Sequence, residues 1–321
     1  MTINFRIPAL ILFVIFSLSF CDFQGHNTEP VSAPKYRTKN ALIIIMDGAR
    51  YSETWGDSTH TNIPFISGEI APEAVVNTAF YNDGPTYTLA GHSSITTGYY
   101  AEINNSGLEN PGHPSVFQYF NKSNGSKENL SWIVTSKDKL SVLSDCTDPA
   151  WNHQFNPLFN CGTTGTGTGC GYRNDSLTCV KALEVLGNQH PRLMLVNFEE
   201  PDGSGHSGVW RDYISSITKT DKYIYQLWSF LQHDKFYKSN TAIFITNDHG
   251  RHIDGVQSGF NNHGCPCDGC RHLFFVATGP DFKQGETINH HYDLVDIPTT
   301  IAALMGFPFS GEGEVMTEIL K

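Results

Sequence analysis

Basic residues are the scarce charge in this chain. Of 321 residues, 21 are Lys or Arg and 32 are Asp or Glu, giving a formal charge of −11 with the two signs interspersed. A nucleic-acid partner would demand a basic face, so no polymer binding of that kind is expected. Long apolar runs are equally absent. The longest candidate, Ile7–Phe20 behind Arg6, is too short to cross a bilayer comfortably as a mature helix and has the layout of a targeting leader. Residues 1–21 are therefore read as a signal peptide or lipoprotein signal, and polar residues 22–38, with Pro30 and Pro34, as a linker. Residues 39–321 are left for a single domain.

The leader implies an extracytoplasmic protein, whether secreted, periplasmic or lipid-anchored. Cys21 in "SLSFCD" is positioned for acylation and hence for membrane attachment, although Phe20 stands where a small residue is usual; the other reading is simple cleavage with Cys21 discarded. Seven further cysteines follow, and in an oxidising compartment they should mostly pair. The local pairings expected are Cys146–Cys161, Cys170–Cys179 and Cys267–Cys270. A zinc knuckle from His263, Cys267, Cys270 and His272 is the competing reading of the last pair. Asn-x-Ser/Thr matches at Asn104, Asn121, Asn124, Asn129 and Asn174 matter only under a glycosylating pathway.

What the chain does have is a series of short continuous apolar runs, at 41–46, 132–135, 193–198, 241–246 and 273–278. Runs of this length without polar alternation are the mark of strands buried on both faces of a parallel sheet. Ile214, Ile217, Ile224, Leu227, Trp228 and Leu231 recur at helical spacing, predicting a helix of about 20 residues from Trp210. A second helix is expected in "YDLVDIPTTIAALMGF", stopped by Gly306. Strands alternating with helices define an α/β sandwich with a mostly parallel sheet. The Gly/Thr-rich stretch 160–171 reads as a surface loop, because no strand leads into it and no helix clearly follows, as a nucleotide loop would need.

Ligands of parallel sheets bind beyond the carboxyl ends of the strands. Here the strand ends carry Asp47 in "MDGAR", Asp202 and His206 in "NFEEPDGSGH", and Asp248 and His249 in "ITNDHGR". Any one of these is ordinary turn or capping chemistry. Together they are three carboxylates and two imidazoles, the ligand types of zinc or manganese, in a number that suits two ions. Gly203 and Gly205 let Asp202 and His206 reach one ion, and Gly250 allows a sharp turn after adjacent Asp248 and His249.

The segments "DGAR", "PTYTLAGHSSITTGYY", "EEPDGSGH" and "NDHG", in this order, resemble the alkaline-phosphatase superfamily, and within it the type I phosphodiesterase/nucleotide pyrophosphatase branch, over about residues 40–310. The resemblance implies an alkaline-phosphatase-like three-layer α/β/α sandwich and two divalent metal ions, zinc first and manganese second. Asp47, Asp248, His249 and Thr88 would hold one ion. Asp202, His206 and a later histidine would hold the other. Thr88 aligns with the family nucleophile; Thr86, Ser93 and Ser94 are its competitors. His263 lies where the family places its third histidine, with His272, His290 and His291 as rivals.

Family relatives add an asparagine contact to the phosphoryl oxygen some 20 residues past the nucleophile. Asn104 and Asn105 lie closer than that, and Arg50 is a further substrate-binding candidate that could equally be a salt-bridged structural residue. The activity implied is hydrolysis of a small phosphate ester, as a phosphodiesterase/nucleotide pyrophosphatase-like enzyme. A phosphomonoesterase is the alternative. A sulfatase is disfavoured because the Cys/Ser-x-Pro-x-Arg motif is missing, phosphoethanolamine transferases carry several membrane helices before the domain, and a phosphoglycerate mutase needs a large insertion after its nucleophile. An inactive surface binding protein is the alternative of another class.

Overall fold

The strand signal comes from residues that alternate in a way the primary run conceals. In β1 (Asn40–Met46) all seven residues are buried, yet Ala41, Ile43 and Ile45 belong to one core cluster and Leu42, Ile44 and Met46 to another. A strand places successive side chains on opposite faces, so β1 feeds two hydrophobic layers and has no solvent face. It is a central strand, parallel to both its neighbours.

These details come from a computed structural model, which describes residues 36–125 and 130–321 together with Met1 and Thr2. The signal peptide, Cys21 and most of the linker lie outside the described residues, as does the sequon at Asn129. Tyr36–Lys321 form one compact unit, which begins three residues earlier than the domain expected at 39. Among the described residues no helix is long and apolar enough to cross a membrane.

The further strands are β2 (Ala74–Tyr81), β3 (Ser131–Thr135), β4 (Leu158–Cys161), β5 (Leu193–Phe198), β6 (Thr241–Thr246), β7 (His272–Thr278), β8 (Glu286–Ile288) and β9 (Tyr292–Asp293). They join in the order β4-β3-β5-β1-β6-β7-β2-β8, with β9 also on β2. Only β7 runs against its neighbours, antiparallel to β6 and β2. All five apolar runs are strands, within a residue at each end. β2 escaped notice because polar Asn77 and Thr78 interrupt it and its register shifts between Asn77 and Phe80.

Helices cover both faces. On the Ile43/Ile45 side pack α1 (Thr88–Thr97), α2 (Val116–Ser123) and α7 (Asp296–Met305), through Leu89, Ile95, Phe117, Phe120, Ile297 and Ile301. On the other side pack α3 (Asp175–Gln189) and α5 (Trp210–His233), through Ala182, Leu186, Ile217, Ile224 and Leu227. Two short helices, α4 (Asp202–His206) and α6 (Asp268–Arg271), sit at strand ends. The three-layer α/β/α sandwich is thus the observed architecture. Both expected helices form: α5 spans 24 residues from Trp210, and Gly306 ends α7 at φ 71°, in the left-handed region.

The reading of 160–171 needs correction. β4 does lead into this stretch and α3 does follow it. It still has no free phosphate cradle, because the Gly169 and Gly171 amides donate to Asp138 at 2.9 and 2.8 Å. The three expected disulfides are not formed either, and all seven described cysteines are free thiols. Cys179 faces α5, where its Sγ lies 3.2 Å from Gln226 Oε1, whereas Cys170 Sγ points to the carbonyl of Cys161.

Because Ile44 is fully buried in the central strand, Ile44→Ala should remove about 2–5 kcal/mol of stability. Urea unfolding of the parent and variant measures this, and a loss under about 1 kcal/mol would show that β1 is not the core's centre.

Candidate metal centre

The carboxyl ends of β1, β5 and β6 lie side by side, and the chain turns sharply at each. Asp47 follows β1, and the next residue, Gly48, has φ 72° with no room for a side chain: a Cβ there would lie 2.8 Å from that of Asp202. The glycine therefore lets the β1 turn touch α4, and the Asp202 amide donates to the Asp47 carbonyl at 3.0 Å. At the end of β6, Gly250 is required for a similar reason, since a side chain would collide with the carbonyl of Gly269.

Three carboxylates are buried together as a result. Asp47, Asp248 and Asp202 are 0, 0 and 4 % exposed. Burying charge is costly unless opposite charge and hydrogen bonds meet it. Lys137 Nζ bridges Asp47 Oδ1 at 2.8 Å and Asp202 Oδ2 at 2.7 Å, and reaches Thr88 Oγ1 at 3.2 Å. Arg251 pairs with the other oxygen of Asp202. Burial alone would raise the Asp202 pKa, but the charges on Lys137 and Arg251 outweigh it and hold the carboxyl well below its ordinary range. Asp248 fares differently. Its Oδ2 is buried with no hydrogen-bond partner.

The histidines supply electron pairs to the same place. His206, His249 and His263 each set Nδ1 against a backbone carbonyl, of Asn261 at 3.0 Å, Gly250 at 2.9 Å and Thr86 at 2.8 Å. A carbonyl only accepts, so Nδ1 carries a proton, and Nε2 is the nitrogen left to offer a lone pair when the ring is neutral. Burial pushes the pKa of His249 down to about 3 and that of His263 down to about 4, which keeps both rings neutral. His249 Nε2 faces Asp47 Oδ1 at 3.6 Å, Asp248 Oδ2 at 3.5 Å and Thr88 Oγ1 at 3.5 Å. The Nε2 atoms of His206 and His263 face Asp202 Oδ1 at 3.3 and 3.5 Å.

Lone pairs aimed at carboxylate oxygens without a proton between them repel, unless a cation lies among them. The orphaned Asp248 oxygen and the three carbonyl-anchored imidazoles, an arrangement that orients metal-ligating histidines, fit divalent ions. Asp202, His206 and His263 form one candidate ligand group, and Asp47, Asp202 and His249 another.

Not every sequence candidate reaches this cluster. Asn105 does come close, its Oδ1 accepting the Leu89 amide and Lys139 Nζ, both at 3.0 Å. Asn104 instead closes an exposed turn onto Ser106. Arg50 is used up by Glu53, Asp254 and the His252 carbonyl. Thr86 Oγ1 is tied to the Cys265 carbonyl. Of the rival histidines, His272 stacks between Tyr51 and Tyr81, His290 packs on Tyr292 and His291 contacts Asp83.

Besides Arg251, three site residues lie outside the sequence candidates. Lys137 follows β3, where the same strand-end rule would have found it. His92, one helical turn after Thr88 in α1, has Nδ1 3.1 Å from Asp248 Oδ2 and Nε2 3.1 Å from Asn197 Nδ2. Asp175, at the start of α3, accepts the amides of Glu199 and Glu200 at 2.8 and 3.0 Å and so pins the loop that delivers Asp202.

The Metalloenzyme superfamily model matches residues 115–309, more than half of the chain. The chain belongs to this alkaline-phosphatase-like superfamily, whose members use divalent metal ions. Mouse ectonucleotide pyrophosphatase/phosphodiesterase family member 1 is 26 % identical over 248 residues, covering 69 % of this chain and 25 % of that protein. The 2,3-bisphosphoglycerate-independent phosphoglycerate mutase of Caenorhabditis elegans is 28 % identical over 133 residues, covering 41 % of this chain and 23 % of that one. The chain thus spans about a quarter of the length of these curated relatives.

Among solved structures, the phosphonate monoester hydrolase SpPMH of Silicibacter pomeroyi superposes with a TM-score of 0.65 at 15 % identity, over 88 % of this chain and 76 % of its own. BT1596, a 2-O GAG sulfatase, gives 0.66 at 14 %, over 87 % and 73 %. These two likenesses speak to the fold.

Lys137→Met keeps the stem and removes the charge, so the metal-free protein should lose about 3–5 kcal/mol, with much of the loss restored on adding zinc. Thermal melts of parent and variant in chelator and in zinc test this, and equal stability in chelator would contradict the role given to Lys137. Glu199, beside Asp175, has its pKa raised to about 7, first by burial and then by the Asp175 charge. The folded state holds that proton more tightly, so its stabilising contribution is complete below 4.5 and lost as pH rises through about 7. Glu199→Gln should therefore be more stable relative to the parent above this window than below it, and a pH-independent difference would refute the assignment.

Proposed function

We propose that this protein is an extracytoplasmic two-metal phosphodiesterase, acting on small phosphate diesters through a covalent intermediate on Thr88. The observation that carries this is the cluster of three buried carboxylates and three imidazoles beside Thr88, whose hydroxyl lies 3.5 Å from His249 Nε2 and 3.2 Å from Lys137 Nζ. Asp47, Asp248, His249 and Thr88 would hold one ion, and Asp202, His206 and His263 the other, with zinc the best match to the nitrogen and oxygen donors. The ions would supply positive charge that lowers the pKa of the Thr88 hydroxyl and offsets charge on the attacking and leaving oxygens.

The chain's own groups set up the rest. Thr88 opens α1, so its oxygen sits at the positive end of that helix. Lys137, 3.2 Å from Thr88 Oγ1, favours the deprotonated oxygen and releases its hydroxyl proton to solvent. The bond from Thr88 Oγ to phosphorus forms as the bond to the leaving alkoxide oxygen breaks, and the alkoxide takes a proton from water. Asn105, whose Oδ1 accepts the Leu89 amide at the mouth of α1, offers its carboxamide nitrogen to the phosphoryl oxygen. Water then displaces Thr88 from phosphorus, leaving a monoester and the free hydroxyl. His92 is a positioning residue, its Nδ1 set against the Thr88 carbonyl at 2.8 Å one turn along α1.

Position 88 is threonine followed by Leu-Ala-Gly, without the sulfatase motif, which favours phosphoryl over sulfuryl substrates. Between α1 and β3 only 33 residues intervene, too few for the inserted domain that a mutase of this superfamily requires. Zinc-loaded protein should hydrolyse a chromogenic phosphate diester faster than the matching monoester, and chelation or Thr88→Ala should cut the rate at least a hundredfold, about 3 kcal/mol. Initial rates on both substrates decide: monoester preference would make the protein a phosphomonoesterase, and an active Thr88→Ala would overturn the nucleophile.

A further inference from the structure

A second cluster of ligand atoms lies in the loop after β6, apart from the carboxylate centre. Cys265, Cys267 and Cys270 are spaced Cys-x-Cys-x-x-Cys at the start of α6. The turn packs on residues 250–253 through Gly250 N–H to Cys270 O and Arg251 N–H to Gly269 O, both 2.8 Å. This brings in His252. Its ring is 1 % exposed, and neither ring nitrogen makes a hydrogen bond. A ring nitrogen of His252 and the sulfurs of Cys265 and Cys270 lie within 4.8 Å of one another.

The sulfur spacing excludes a bonded disulfide and is compatible with a shared metal ion. Cys265 Sγ and Cys270 Sγ are 3.8 Å apart. A bonded pair would be about 2.05 Å apart. Two thiolates on one tetrahedral zinc, with Zn–S near 2.3 Å, stand about 3.8 Å apart. The Cys267 amide also points at Cys265 Sγ, 3.4 Å away, as a donor that stabilises a thiolate. Cys267 itself stands between them in sequence, at the N-cap of α6.

We propose that His252, Cys265 and Cys270, with Cys267 as the fourth ligand, form a structural zinc site. Binding displaces the three thiol protons and leaves His252 neutral, one nitrogen toward the ion. The membership differs from the knuckle suggested by spacing alone: His263 faces Asp202, and His272 is held by aromatic stacking. The ion would fasten residues 250–253 to 265–271, the two ends of the loop carrying His263. The site itself is independent of the phosphodiesterase reading.

The test uses the full chain, purified under reducing conditions, freed of metal and loaded with cobalt(II). The carboxylate centre has no sulfur, so a sulfur-to-cobalt charge-transfer band reports only this second site. We expect that band in the parent, its loss in Cys270→Ser, its weakening in His252→Ala, and one metal fewer per chain in Cys270→Ser with the remaining cobalt retained. Should the variants fail to fold, alkylation of the parent decides: peptides with Cys265, Cys267 and Cys270 should be protected until chelator is added. No band in the reduced parent, a band unchanged in Cys270→Ser, or a Cys265–Cys270 disulfide in the peptide map of unreduced protein would each overturn the proposal.

Discussion

The structure depends on burying three carboxylates side by side at the ends of three parallel strands. Like charges at this separation, out of water, destabilise the fold unless cations are supplied. Lys137 and Arg251 supply two, and both reach Asp202. Asp248 has neither, and its Oδ2 is left without a hydrogen bond. The neutral imidazoles cannot balance it, since burial holds His249 and His263 deprotonated. What remains is a demand for added positive charge, which divalent ions would meet.

The rest of the fold serves that demand. A doubly covered parallel sheet gathers the strand ends, the Gly48 turn lets Asp47 and Asp202 approach, and Asp175 ties the intervening loop to α3. Thr88 is carried in by α1 from the opposite layer, on the Ile43/Ile45 face. Thr88 and the loops of β5 and β6 therefore arrive on separate elements, each rigid because its buried face is part of one of the two cores.

Much of this was legible because parallel strands buried on both sides write themselves as unbroken apolar runs, with function at their ends. The reading failed where tertiary contacts override local pattern. β2 carries Asn77, whose side chain is buried against the backbone of Ala79 and His290, so polarity there does not mean a loop. Lys137 was passed over because lysine is ordinarily a surface residue, and only the facing carboxylates make its burial tolerable. Thiol neighbours are set by how loops fold back, which spacing does not encode, and His252 enters the cysteine cluster from a different segment. Arg50 and Asn104 had suitable chemistry, but ion pairs and a turn claim them first.

The central claim is that this carboxylate and imidazole cluster holds two cations around Thr88. Anomalous X-ray diffraction from crystals of the zinc-loaded protein, recorded at the zinc edge, tests it most directly. The account predicts two peaks in the cluster, one bonded to His249, Asp248 and Thr88 and one to His206, His263 and Asp202. A single peak, or density showing Lys137 still bridging Asp47 and Asp202 with no ion beside them, would contradict it.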